Sequence, residues 1–141
     1  MRLSLQTDYA LRTLMFLASR GQRATIDDVA SLFGISRAHV AKVVHQLAKQ
    51  GYVRSIRGVG GGIELARAPD AIVIGDVVSS FEGPMHLLDC VAMDDVCAIE
   101  RFCKLKGVLA EAERLQTEYL NGITLADVLP TKRQLAKVAI A

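Results

Sequence analysis

Long apolar runs are missing from this sequence, and their absence excludes several classes of protein. No run approaches the ~18 to 20 apolar residues that span a bilayer, and residues 1–4 contain no signal-peptide core. We therefore expect a cytoplasmic protein without membrane contact. Only three prolines are present, and 23% of residues are charged. This composition lacks the polar bias of disordered chains. The 141 residues suffice for one small domain plus an arm, so a large multidomain enzyme is excluded.

Motifs that would indicate an enzyme are missing as well. The glycine-rich stretch at residues 58–62 is not followed by the Lys-Ser/Thr pair of a phosphate-binding loop. No Cys-x-x-Cys pair exists, and no grouping of histidine, serine and acid suggests a nucleophilic site. We expect a protein that is not an enzyme, with a thiol oxidoreductase using Cys97 or Cys103 as a remote alternative.

Acidic residues are scarce in the first half of the chain, and basic residues are the minority in the second half. Residues 1–67 hold 10 Lys/Arg against 4 Asp/Glu, a net charge of +6, whereas residues 68–141 hold 7 against 11, a net charge of −4. A basic half joined to an acidic half suggests that the first binds a polyanion and the second does not.

The basic half contains the parts of a winged helix-turn-helix domain, which we assign to residues 1–83. Apolar spacing predicts a first helix at about 7–19, a second helix that begins after Thr25 as N-cap, and a third helix at about 36–50 with Ser36 as N-cap. Two β-prone runs follow, at 52–57 and 63–66. Gly34 supplies the tight turn between the second and third helices. Two helices joined by such a turn and followed by a hairpin predict a mainly α, winged helix-turn-helix fold.

The third helix is the predicted reader of double-stranded DNA. From Arg37 to Arg57 the chain has five Lys/Arg and no acid, a natural complement to phosphate. At the start of this helix we expect base-edge contacts, with Arg37 as the specificity residue because arginine can bond guanine with two donors. The predicted base contacts are Ser36, Arg37 and His39, the phosphate contacts are Lys42, Lys49, Arg54 and Arg57, and the wing tip approaches through Gly60 and Gly61.

The acidic half has a different organisation. A short helix at 74–81 ends at Gly83-Pro84, and an irregular cysteine loop follows at 84–104. Residues 105–129 form a long helix and a short turn capped by Thr124, and residues 130–141 form a weakly structured, flexible basic tail. The long helix carries an apolar stripe that lacks a partner, which predicts a dimerisation helix and a homodimer: Leu105, Val108, Leu109, Ala112, Leu115 and Tyr119.

Three cysteines lie within 14 residues, at Cys90, Cys97 and Cys103. An odd number in a chain without export features makes a disulfide framework improbable. The spacing lacks the paired Cys-x2-Cys of most structural zinc sites and supplies three thiolates where four ligands are needed. Inert core residues, a zinc site completed by His86, a redox thiol set and an iron-sulfur site are all open on this pattern.

Ordered motifs across residues 1–129 resemble a known family. They are residues 1–3 with 7–12, residues 52–53 with 57–58 and 61–63, residues 74–78, residues 103–106 and residues 124–127. The set is similar to the NsrR-type nitric-oxide-sensing repressors, in the winged-helix superfamily that also contains the iron-sulfur regulator IscR. The IscR pattern has a histidine three residues after the last cysteine, where this chain has Lys106, and this favours the nitric-oxide branch.

The resemblance implies a cofactor and a function. Cys90, Cys97 and Cys103 match the ligands of an iron-sulfur cluster, either [4Fe-4S] or [2Fe-2S], and Asp8 matches a fourth ligand supplied by the partner subunit. Asp8 is also explained as a carboxylate favoured by the dipole at a helix start. The implied protein is a homodimeric repressor on a palindromic operator that releases DNA on nitrosylation. The alternative is the same fold responding to iron, redox state or cysteine.

Overall fold

A computed structural model describes residues 2–138 of the chain. Within that range seven α-helices, two strands and three short 3-10 turns follow one another. The α-helices are α1 (Leu5–Arg20), α2 (Ile26–Phe33), α3 (Arg37–Lys49), α4 (Ile74–Glu82), α5 (Asp89–Ala92), α6 (Lys104–Asn121) and α7 (Lys132–Ala136); the strands are β1 (Val53–Ile56) and β2 (Gly62–Leu65). The 3-10 turns are Pro69–Ala71, Glu100–Phe102 and Leu125–Val128. None of the described helices is long and apolar enough to cross a membrane.

Capping side chains set the starts of the first three helices. The Ser4 hydroxyl accepts from the Thr7 amide, so α1 begins two residues before its predicted start. Thr25 forms a capping box with Asp28, and the Ser36 hydroxyl accepts from the His39 amide. Gly34 ends α2 in the left-handed region with a φ of 63°. Thr25 and Ser36 are therefore confirmed as N-caps, and so is the tight turn before α3.

The two strands form the predicted antiparallel hairpin. Their register pairs Val53 with Leu65 and Arg54 with Glu64. A third segment joins the hairpin, because Ala24 donates to and accepts from Ile63 across 3.0 and 2.7 Å. With α1, α2 and α3, this small sheet completes the predicted mainly α winged helix-turn-helix fold.

Burial divides the described chain into two regions. We call residues 2–82 the body, which contains all but one of the buried apolar side chains, among them Leu14, Val40, Leu47 and Val77. We call residues 83–123 the arm, in which no residue is buried. α6 packs on α4. Beyond the arm, Leu125 returns to the body, where it is fully buried.

Two segments differ from their predicted conformations. The stretch predicted as irregular contains α5 and the 3-10 turn Glu100–Phe102. The basic tail, predicted to be weakly structured, forms α7 instead, because Thr131 and Gln134 make a capping box at its start. The last part of the predicted flexible tail, residues 139–141, lies outside the described residues.

Candidate nucleic-acid interface and cysteine segment

The start of α3 presents the three predicted base-contacting residues at the surface. Ser36, Arg37 and His39 are all exposed. Because the Ser36 hydroxyl accepts one bond, from the His39 amide at 3.2 Å, it keeps its O–H donor and one further acceptor position for a ligand. The His39 ring lies 6.1 Å from the ring of Tyr9, centroid to centroid. The beginning of α3 therefore contacts α1 through an aromatic pair.

Arg37 is held by an acid that sequence analysis did not connect with it. Its Nε donates to Asp27 Oδ1 across 3.0 Å, from α3 to the first turn of α2, and both side chains are about two-thirds exposed. Its two terminal nitrogens have no hydrogen bond among the described residues. Arg37 can therefore present the donor pair that arginine uses on guanine while its Nε stays bonded.

The rest of α3 separates a packed face from a polar one. Val40, Val43, Val44 and Leu47 are buried, as their helical spacing predicts. Lys42 and Lys49 are exposed, and neither has an ion-pair partner within residues 2–138. Both ammonium groups are available to a polyanion, which is the arrangement expected of phosphate contacts.

The wing carries a network centred on one acid. Glu64 Oε1 accepts from Arg54 Nε at 2.6 Å, and Glu64 Oε2 accepts from Arg23 at 3.2 and 3.3 Å. The hydrogen bond from Arg54, helped by Arg23, holds the pKa of Glu64 below its ordinary value. Arg57 and Gly60 are exposed and Gly61 is half-buried.

Arg23 is the residue of this network that sequence analysis missed. It lies between α1 and α2, outside the predicted reader and wing, and its Nη1 donates to the Gly60 carbonyl at the wing tip across 2.8 Å. Its local pattern is that of an ordinary basic residue two positions before an N-cap. The one indication in the sequence is the charge balance, because Glu64 is the only acid between residues 29 and 69.

The three cysteines lie along the arm and are all free thiols. Cys90 is the second residue of α5 and is half-buried, Cys97 is exposed, and Cys103 is half-buried at the residue before α6. Among residues 2–138 the structure brings no three His, Cys, Asp or Glu side chains close enough to hold a metal ion. A single chain therefore keeps the three predicted ligands on one segment without assembling them.

Charged side chains around the cysteines are already paired. Lys106 donates to Glu100 and, at 3.0 Å, to Asp94. The bond to Glu100 and then the bond to Asp94 raise the pKa of Lys106, and the bond from Lys106 lowers the pKa of Asp94. His86 Nδ1 lies 3.1 Å from Glu113 Oε2, and the Leu87 amide donates to Glu113 Oε1 at 2.6 Å. The Leu87 amide and then His86 lower the pKa of Glu113. Within the described chain His86 is thus directed to α6 and not to the cysteines.

Asp8, the predicted fourth ligand, lies in the first turn of α1. Its Oδ1 accepts from Arg12 Nε at 2.7 Å, one helical turn away, and both side chains are partly exposed. An acid there is also favoured by the helix dipole, so the observed contacts account for Asp8 without a metal.

The donor set fits an iron-sulfur cluster by its chemistry. Thiolates are the ligands that such clusters take, and Cys90, Cys97 and Cys103 are free, uncovered by the core, and carried by a segment without buried residues. A fourth donor and a closer approach of the thiols are needed to complete the site.

Comparison with known proteins agrees with this architecture. A family model described as Rrf2, iron-dependent transcriptional regulator, matches residues 3–131. CymR of B. subtilis, the global cysteine regulator, is 27% identical, with a TM-score of 0.73 over 91% of this chain and 95% of that one. T. potens IscR is 25% identical, with a TM-score of 0.73 over 100% of this chain and 93% of that one.

These matches confirm the winged helix-turn-helix fold and part of the functional interpretation. Rrf2 regulators bind DNA and are typically dimeric. The family match covers residues 3–131, which include nearly all of the body, the cysteine segment (residues 84–103) and α6, and both solved structures extend over most of the same length. The chain belongs to the Rrf2 family and is a DNA-binding transcriptional regulator of that family.

Proposed function

We propose that the protein is a homodimeric repressor that senses nitric oxide through an iron-sulfur cluster and then releases a palindromic operator. The observation that carries this proposal is the position of its three free thiols, Cys90, Cys97 and Cys103. They occupy 14 residues of a segment that has no buried residue, next to a helix whose apolar face is exposed. Thiols on such an exposed segment are accessible to a cluster and to a second subunit.

The DNA contacts follow from the exposed face of α3 and from the wing. Arg37 at the start of α3 supplies sequence choice through its free terminal nitrogens. Lys42, Lys49 and Arg57 are exposed cations that neutralise phosphate without reading sequence. Arg54 contributes in the same way from β1 while Glu64 fixes its orientation.

The dimer is built on α6. Apolar side chains at Leu105, Val108, Leu115 and Tyr119 lie on one stripe of this helix and are 52–71% exposed. A second copy of α6 gives the stripe an identical apolar partner under two-fold symmetry. The same symmetry places two α3 helices on successive turns of a palindromic duplex, because a dimer reads half-sites about one helical turn apart.

The cysteine segment connects the proposed cluster to α6, the dimerisation helix. Cys103 directly precedes α6, and Lys106 in the first turn of α6 binds Asp94 and Glu100 of the cysteine segment. A cluster of either nuclearity, [4Fe-4S] or [2Fe-2S], would be held by the three thiolates and by Asp8 of the partner subunit. When bound, it supplies iron that reacts with nitric oxide. Loss of the cluster would remove its bonds to the three thiolates and to Asp8 of the partner subunit, and would so alter the separation of the two α3 helices.

The test is a visible absorption spectrum of the anaerobically purified protein, recorded with operator binding before and after stoichiometric nitric oxide. We expect a brown protein that bleaches and releases DNA. The variant Cys97→Ala should be colourless and bind DNA weakly in either condition. A colourless wild-type protein that binds DNA regardless of nitric oxide would overturn the sensing proposal and leave the regulator.

The matched control for the cysteine variant is Ser79→Ala, an exposed substitution of similar size in the body. It should keep the colour, the bleaching and the release of DNA. A Ser79→Ala protein that loses its colour would mean that the spectrum reports general instability and not the loss of one ligand.

The reading helix is tested by reversing the charge of Arg37. Arg37→Glu should abolish preference for a duplex that the wild-type protein selects from a random pool, because both the guanine donors and one positive charge are lost. Ala38→Glu, which adds an acid at the next exposed position, controls for charge alone. Unchanged affinity and sequence preference in Arg37→Glu would contradict the assignment.

A second candidate is a thiol-based regulator that responds to cysteine or redox state without a cluster. Two observations favour it: the likeness to CymR of B. subtilis, a cysteine regulator, and the three thiols that do not converge in one chain. Such a protein would be colourless when purified anaerobically, and its DNA affinity would change with oxidation of Cys97 or with added cysteine but not with nitric oxide.

A further inference from the structure

The α1–α2 turn reaches the tip of the wing through one side chain, that of Arg23. Its Nη1 donates to the Gly60 carbonyl at 2.8 Å, and its Nε and Nη2 donate to Glu64 in β2. The backbone makes the same connection, because the neighbouring Ala24 pairs with Ile63. One arginine therefore joins the outermost turn of the wing to the strand that carries it.

The wing tip has little else to hold it. Val59 is fully exposed, and residues 57–60 are all exposed. Besides the bond from Arg23, the turn between β1 and β2 contains a local hydrogen bond, in which the Gly61 amide donates to the Gly58 carbonyl. Glycines allow this turn backbone conformations that other residues would not adopt, and they leave the turn less conformationally restricted.

Arg23 and the wing are also fitted to each other sterically. A Cβ at position 62 would lie 2.5 Å from the Ala24 carbonyl oxygen and 3.0 Å from Arg23 Cγ. A glycine at 62 is therefore required for the α1–α2 turn to pass this closely. The contact is a packed junction and not a chance meeting of two long side chains.

We propose that Arg23 is a positioning residue for DNA binding, which fixes the wing tip through the Gly60 carbonyl and orients Arg54 through the shared Glu64. The inference rests on the proposed DNA face, to which it adds a residue outside both the reader and the wing. Its planar group makes three directed donations at once, whereas lysine, with the same charge, has a single rotating ammonium. Charge and geometry can thus be separated by one substitution.

The experiment compares Arg23→Lys with wild type on a fluorescent duplex selected from a random pool by the wild-type protein. Affinity is measured by anisotropy across a salt series. We expect Arg23→Lys to bind about tenfold more weakly, the effect of losing one charged hydrogen bond, with an unchanged slope of log affinity against log salt. Arg20→Lys, in which the arginine contacts Asp28 and Phe16 and not the wing, should bind like wild type.

Amide hydrogen exchange at residues 58–62 gives the second readout. In free Arg23→Lys these amides should exchange faster than in wild type, while those of the buried part of α3 exchange at the same rate. If Arg23→Lys binds like wild type and Arg23→Gln instead lowers the salt slope by about 0.9, Arg23 is a phosphate contact and the positioning role is wrong.

The two proposals fail in different ways. A wild-type protein that selects no duplex from the pool would overturn the proposed DNA function. Unaltered exchange at residues 58–62 in Arg23→Lys would overturn the role of Arg23 whether or not DNA binds. Faster exchange together with wild-type affinity would also overturn it, because an ordered tip would then be irrelevant to binding.

Discussion

The body and the arm of this chain both contain large apolar side chains, but these differ in how far they are buried. In the body, Leu14 and Leu47 are completely buried, as is Leu125 where the chain returns. In the arm, Phe102 is 87% exposed and Tyr119 is 71% exposed. The body buries most of its large apolar side chains within one chain, apart from Leu3, Leu5 and Val59, and the arm buries none. The difference agrees with the proposed homodimer, in which a second subunit covers apolar surface of the arm that the body does not cover.

The strongest test of this comparison places a charge on the exposed stripe. Leu115→Glu should convert the dimer to single chains of 15.3 kDa, because two carboxylates would face each other in an apolar interface. Operator binding should fall as the dimer is lost, while the far-UV circular dichroism spectrum of the protein stays unchanged. Sedimentation velocity measures the mass.

The matched control is Ala110→Glu, an exposed position on the opposite side of α6 by helical spacing. It should remain dimeric and bind DNA like wild type. If Leu115→Glu also remains a dimer, the stripe is not the interface and the arm is completed by something else.

The next test makes the same substitution in both regions. Leu14→Ala should lower the free energy of unfolding by about 3 kcal/mol, through lost burial and the cavity left behind. Leu115→Ala should have an effect that depends on protein concentration, because its side chain is 52% exposed in the single chain. Thermal unfolding at two concentrations distinguishes them: equal concentration dependence in the two variants would mean that the body also needs the second subunit.

The junction between the regions provides a third test. A Cβ added to Gly75 of α4 would lie 1.9 Å from Asn121 Oδ1 and 2.9 Å from the Asn121 amide nitrogen of α6. Gly75→Ala should therefore displace α6 from α4 and cost about 2 kcal/mol in unfolding free energy, because the backbone itself must move.

Gly107 on α6 supplies the control for that test. A Cβ at this position meets nothing within 4 Å, so Gly107→Ala should be neutral or stabilising by about 0.5 kcal/mol through helix propensity. Chemical denaturation measures both variants. A Gly75→Ala protein as stable as Gly107→Ala would show that the arm does not depend on its packing against α4.

Sequence periodicity predicted the body well because its elements follow local rules. The caps at Thr25 and Ser36 and the hairpin are determined by residues close in the chain. The arm was harder to predict, because its contacts are not local. Leu109 was assigned to the same stripe as Leu115, yet it is half-buried.

The candidate site divides in the same way. Exposure of the basic residues on α3 follows from the helical pattern of the valines and could be predicted. The bond from Arg37 to Asp27 and the bond from Arg23 to Gly60 join elements that only the tertiary fold brings together. The helix at Lys132–Ala136 was missed because its capping box lies in a polar stretch without apolar periodicity.

The smallest expected effect concerns Glu82, where the body meets the arm. Glu82 Oε1 accepts from the Thr7 hydroxyl and, at 2.6 Å, from the Ser4 amide. The Thr7 hydroxyl and then the Ser4 amide hold the pKa of Glu82 below its ordinary 4.5. A lowered pKa in the folded state contributes stability above pH 4.5 that is lost as the pH falls through the folded value. Glu82→Gln should therefore be less stable than wild type by about 1 kcal/mol at neutral pH.

The pH dependence of this difference separates the Glu82 contact from a general loss of negative charge. Stability of wild type and Glu82→Gln should converge as the medium is acidified below the lowered pKa, because wild-type Glu82 is then also neutral. Asp70→Asn removes an exposed carboxylate that has no hydrogen bond through its side chain among the described residues, and it should track wild type throughout. A gap between wild type and Glu82→Gln that persists in acid would mean that the charge of Glu82 is irrelevant. The join between α1 and α4 would then depend on packing alone.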